Sequence, residues 1–162
     1  TSHLGGHRFA ANLVTLPDGS YHGGLDTDPD RVEHVAAATL RGAVDLTHYR
    51  GRSGRSAAAQ TADWHARRST GLTSLEAVRV RAEQANADGT VTVDLDVAGV
   101  AMRATLRRAE AEPARLISCA TGEVGSPEHF TLVGLIATAR AEPRPSEPAA
   151  ETSTRPPRAA RP

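Results

Sequence analysis

Lysine is missing from this chain of 162 residues: all 19 basic residues are Arg, and 19 Asp and Glu bring the formal charge to zero. A neutral balance argues against a general nucleic-acid or membrane binder, because either needs a net basic face. Aromatic residues make up only 3%, so the core must be built from Val, Leu, Ile and Ala and will be thin. Cysteine occurs once, at Cys119, which excludes a disulfide framework within these residues and fits a reducing cytoplasm. Long apolar runs are missing too. The longest, "FTLVGLIATA", falls far short of the roughly 20 residues that span a bilayer. No charged-then-apolar leader opens the chain, so no secretory signal is expected. The length allows one domain, or a small domain with an appendage.

What is present divides into three segments. Residues 1–12 read as a loop containing Gly and His. "NLVTLPDGSYHGGL" reads as a hairpin: Leu13, Val14 and Leu16 form a short apolar strand, and Pro17-Asp18-Gly19 supplies the turn chemistry. "DTDPDRVEHVAAATLRG" is a well-signalled helix, with an Asp or Thr cap, Pro29 in the first turn and Gly42 at the end. Val32, Val35, Ala36 and Leu40 recur on it at helical spacing. "AVDLTHYRGRSGRS" reads as a Gly-, Ser- and Arg-rich connector, and "AAAQTADWHARRSTG" as a second helix with Trp64 on its apolar side. From residue 78 to 140 the pattern changes to period 2, with a strong hairpin turn at Asp88-Gly89, a softer one at Ala98-Gly99 and a last strand in "HFTLVGLIATAR". Residues 141–162 are rich in Pro and Ala with nearly no large apolar side chain, and are expected to be disordered. The fold class is therefore α+β: a hairpin with helices over 1–77, then a small antiparallel sheet segment over 78–140.

The first residues carry the chemistry. In "TSHLGGHRFAAN" His3 and His7 flank Gly5-Gly6. The Gly pair opposes a helix there, whereas a Gly-rich loop lets backbone approach a metal and aims two imidazoles at one point. Two solvated loop histidines would show the same spacing. The wider run does more to distinguish them. "SHLGGHRFAANLVTLPDGSYHGGL", followed by an Asp/Pro-capped helix and "RGRSG", resembles the sucrase/ferredoxin-like family, whose members share a thioredoxin-like ferredoxin fold. The resemblance covers residues 1 to about 75, is looser over the following strands and does not reach the tail. It implies that His3 and His7 are the histidine pair that ligates one iron of a [2Fe-2S] cluster, with two upstream cysteines on the other iron. Gly5 and Gly6 fall within that ligand loop, and the neighbouring Arg8 reads either as positive charge near the cluster or as a surface arginine. Imidazole in place of thiolate raises the reduction potential, as in Rieske centres at about −150 to +300 mV against about −400 mV for plant-type ferredoxins. It also lets electron transfer couple to pH, and Arg8 would push the potential the same way. The implied activity is single-electron transfer to a redox partner protein by a cytoplasmic carrier rather than an enzyme.

The cysteine pair that the resemblance requires is not among these residues. Cys119 is single, lies in the late sheet region and reads as a half-buried structural residue. The chain therefore resembles the C-terminal portion of a bacterial member of the family: a truncated gene, a gene-calling fragment or one half of a split protein, missing an N-terminal portion with the Cys pair. By that reading the chain alone binds no cluster. Two alternatives stand beside it: a cluster-free binding or scaffold module, and a mononuclear zinc protein using His3, His7 and His22. His34 falls on the first helix, while His65 beside Trp64 and His129 beside Phe130 read as partly buried structural residues. Arg50, Arg52 and Arg55 in "YRGRSGRS" have the fork chemistry for phosphate but lack P-loop spacing. A solvated linker and a docking surface are the other readings of that run. No GxSxG elbow or suggestive carboxylate pair supports a hydrolase.

Overall fold

The structure, a computed structural model, describes residues 11–26, 28–109, 115–118, 123–125 and 129–140. His3, Gly5, Gly6, His7, Arg8 and Cys119 lie outside these residues, as does the 141–162 tail. The fold is α+β. The described residues form two helices, a three-stranded and a four-stranded antiparallel sheet, and a separate two-stranded ribbon.

The expected hairpin is present as β1 (Leu13–Thr15) and β2 (Ser20–His22), but it is shorter than expected: Leu16 falls in the turn and is exposed. Asp18 closes its turn by accepting from the Ser20 amide at 3.0 Å and from the Ser20 hydroxyl. Gly19 sits at φ +71°, where a Cβ would stand 2.9 Å from Ser53 Oγ. Helix α1 (Pro29–Leu40) starts where the sequence places it. Asp28 is the N-cap, accepting from the Asp30 amide at 3.0 Å, and Arg41 and Gly42 close the end. Its apolar positions divide differently from the expectation. Val35 and Ala38 are buried, whereas Val32 and Leu40 are exposed and Ala36 is exposed between them.

The connector contains a strand that the sequence hides. β3 (Tyr49–Arg52) pairs antiparallel with β2, so the first sheet has the order β1-β2-β3. Tyr49 and Gly51 point inward, with Arg50 and Arg52 alternating between them. Gly51 is required by close approach. Its φ is +113°, and a Cβ there would fall 2.7 Å from both Cβ and Cγ of Gln60.

Helix α2 (Ala57–Thr70) is capped by Ser56, whose Oγ accepts from the Ala59 amide at 3.0 Å, and ends on Gly71 in the left-handed region. Its buried seam is Ala58, Ala62 and Ala66, not Trp64, which lies beside the seam and is only half-buried. Small side chains let the helix approach a sheet closely. That sheet is built from β4 (Val78–Ala85), β5 (Thr90–Val97), β6 (Val100–Arg108) and β9 (Phe130–Arg140), in the order β4-β5-β6-β9. Strand alternation sends Val93, Leu95 and Val97 of β5 and Ala104 and Leu106 of β6 into the core beneath α2. Each such Val or Leu contributes about 1.5–3 kcal/mol on burial.

Both sheet turns fall where the sequence marks them. Asp88 accepts from the Thr90 amide and hydroxyl, and Ala98 and Gly99 both take positive φ in a two-residue loop joining Val97 to Val100. Two further strands, β7 (Arg115–Ser118) and β8 (Glu123–Gly125), form the ribbon. No helix among the described residues is long and apolar enough to cross a membrane.

Candidate functional site

The described chain picks up four residues after His7. The Ala11 carbonyl accepts from the Leu25 amide at 3.2 Å, tying the entry to β1 to the segment that follows β2. His22 ends β2, opposite Leu13 and beside Tyr49. It is 0% exposed, and neither ring nitrogen has a hydrogen-bond partner. Its ring meets that of Tyr49 edge-on at 5.9 Å. Burial lowers the His22 pKa. The carboxylates of Asp45 and Asp18 pull it back only in part, and His48 and Arg50 push it further down. The imidazole is therefore held neutral, in the form that ligates metals.

The surrounding turn is well bonded. Asp45 accepts from the Thr47 amide through its side chain at 2.9 Å and from the Tyr49 amide through its backbone at 2.8 Å. The Gly23 amide donates to the His48 carbonyl at 2.9 Å, and His48 Nδ1 lies 3.4 Å from the Gly23 carbonyl. Arg50 reaches the Gly23, Thr47 and Tyr49 carbonyls. Among the described residues no three or more His, Cys, Asp or Glu side chains gather in a group that would hold a metal. His34 is exposed on α1, and His65 packs edge-on against Trp64 at 4.8 Å. His22 thus has the chemistry of a ligand, while His3 and His7, the other members of the zinc set, lie outside the described residues.

A second cluster was not legible in the sequence. Arg67 is 0% exposed in the interior of α2, where its Nε donates to Asp63 Oδ1 at 2.8 Å. Its two terminal nitrogens donate to the carbonyls of Leu72 at 3.3 Å, Ser74 at 2.8 Å and Leu75 at 3.1 Å. The Tyr49 hydroxyl donates to the other Asp63 oxygen. Burial and the adjacent Asp63 carboxylate raise the Tyr49 pKa strongly, so the phenol stays neutral and donating. This network joins β3, α2 and the segment after α2. The acid-before-base spacing of Asp63 and Arg67 at i, i+4 is its only sequence signal.

The Arg50, Arg52 and Arg55 trio is divided by the fold. Arg50 serves the carbonyls around Gly23. Arg52 donates to the Leu75 carbonyl at 2.6 Å and, with Arg55, faces a cavity beside β4.

No protein-family model, curated protein or solved structure matches this chain.

Proposed function

We propose that the chain is part of an electron-transfer protein of the sucrase/ferredoxin-like family, in which His3 and His7 are the histidine ligands of a [2Fe-2S] cluster. One observation carries the reading. The ordered run from "SHLGGH" through the Pro17-Asp18-Gly19 turn and the Asp28-capped helix to "RGRSG" resembles the pattern of that family. The hairpin and the capped helix, both formed as that order requires, support it. His3 and His7 would hold one iron, Gly5 and Gly6 would let the backbone come close, and Arg8 would add positive charge. The bound cluster would supply one-electron chemistry to a redox partner protein in a reducing, cytoplasmic setting.

The donor set of these residues does not fit a complete cluster. A four-ligand cluster needs a second pair of thiolates, and the sequence has Cys119 alone. The chain alone is expected to hold none, and the Cys pair would have to be supplied by a portion of the protein beyond these residues. Anaerobic reconstitution of the chain, followed by iron and acid-labile sulfide analysis, checks this. Stoichiometric iron and sulfide would overturn it. Reconstitution of the chain extended by its genomic upstream sequence tests the family reading. A visible iron–sulfur spectrum lost in a His3→Ala, His7→Ala variant supports it. An upstream sequence with no closely spaced Cys pair favours the cluster-free scaffold.

The second reading, a mononuclear zinc protein, is favoured by the buried, unbonded imidazole of His22. It requires one zinc per chain, with affinity lost in both His22→Ala and His3→Ala. Zinc binding indifferent to His22 would eliminate that reading.

A further inference from the structure

Between β3, α2 and the edge strand β4 lies a cavity of about 260 Å³. Four arginines face it, Arg52, Arg55, Arg79 and Arg81, together with two acids, Asp63 and Glu76. In a chain of zero net charge this is a local excess of positive charge. Both acids are already engaged. Asp63 is held by Arg67 and Tyr49, and Glu76 by Arg79 at 2.9 Å. Arg81 pairs with Asp96. Arg52 commits one terminal nitrogen to the Leu75 carbonyl, and Arg55 makes no ion pair among the described residues. A guanidinium offers five N–H donors in a fixed fork. Most of the donor capacity of Arg52 and all of that of Arg55 is left for a ligand.

The walls are fixed by the fold. Arg52 is held in β3 by the β2 ladder, and Arg55 lies just ahead of the Ser56 cap of α2. Arg79 and Arg81 stand two residues apart on β4, on either side of Val80, next to the register shift between Val80 and Ala82. Guanidinium groups lining a recessed space suit the oxygens of a phosphate group in charge and in hydrogen-bonding capacity. The cavity is too small for a polynucleotide, which would also need an extended basic face.

We propose that this cavity is a binding site for a small phosphate-bearing anion, with Arg52 and Arg55 as its main donors. The site does not depend on the electron-transfer reading. The test uses inorganic pyrophosphate as the probe, titrated into the 162-residue chain by calorimetry and followed by amide NMR shifts at low salt. One saturable site is expected, with shifts centred on residues 51–56 and 76–81 and affinity falling as salt is raised. Arg55→Ala, which removes an exposed side chain with no structural bond, is expected to keep the NMR fold pattern and to weaken binding about tenfold. Arg55→Lys is expected to recover only part of that loss. No saturation, shifts spread over the Arg103 and Arg107 surface, or Arg55→Ala binding as tightly as the parent would each overturn the proposal. So would a Glu-rich peptide shifting these same residues where pyrophosphate does not, since that would make the pocket a contact for an acidic protein segment.

Discussion

Replacing Arg67 by Met should be among the most damaging single changes in the chain. The side chain is 0% exposed and makes four hydrogen bonds, one to the Asp63 carboxylate and three to backbone carbonyls. Met keeps much of the volume and none of the donors. Asp63 would be left as a buried carboxylate served only by the Tyr49 hydroxyl. Breaking a buried ion pair from one side costs about 3–5 kcal/mol, a large share of the 5–15 kcal/mol that typically holds a domain folded. With urea slopes of about 1–3 kcal/mol per M, the unfolding midpoint followed by far-UV circular dichroism should fall by about 1 M or more. The double variant Asp63→Asn, Arg67→Met removes both charges. It should lose less than the sum of the two single variants, with a coupling of about 0.5–3 kcal/mol. A loss below about 1 kcal/mol in Arg67→Met, or strictly additive single losses, would refute the buried network.

Three further outcomes follow from local geometry. Gly51→Ala should destabilise by at least about 1–3 kcal/mol from backbone strain alone, because its φ is +113° and Gln60 blocks the Cβ, while Gly54→Ala, with open space around it, should change a thermal melt little. Ser56→Ala removes the cap bond to the Ala59 amide and should cost about 1 kcal/mol in urea unfolding. His22 has a lowered folded-state pKa, so the unfolded chain takes up the proton first as pH falls. Its contribution is constant above the ordinary histidine range and is lost as pH drops below about 6.5. Urea midpoints of parent and His22→Leu measured between pH 8 and 5 should diverge, with the parent falling more steeply, and parallel curves would count against a buried neutral imidazole.

Much of the fold could be read because its turns are chemical. Asp88-Gly89, Ala98-Gly99, the Asp28 cap and Gly71 each do locally what their residue type dictates. β3 could not be read so. Its inward positions are Tyr49 and Gly51, and the Gly is there to admit Gln60, so the strand carries no apolar alternation. Trp64 misdirects for a related reason. An aromatic ring outweighs alanine in any apolar count, yet α2 buries the alanines because it lies close to the sheet. On α1, spacing groups Val32 and Leu40 with Val35 and cannot tell which of them the core takes. The Asp63–Arg67 pair looks like any exposed i, i+4 ion pair until the fold closes over it.

The alanine seam of α2 has a mechanical meaning. Ala58, Ala62 and Ala66 act as a gauge block, since with no side-chain length to adjust, the helix stands at the height its backbone allows above β5 and β6. Asp63 rides on that helix and forms one wall of the arginine cavity, while Arg79 and Arg81 ride on the sheet. The thickness of a methyl group therefore sets the gap between the two sides. Changing Ala62 to Val would press helix and sheet apart, at an overpacking cost of about 1–3 kcal/mol, and so act on both walls of the cavity through a residue that does not line it.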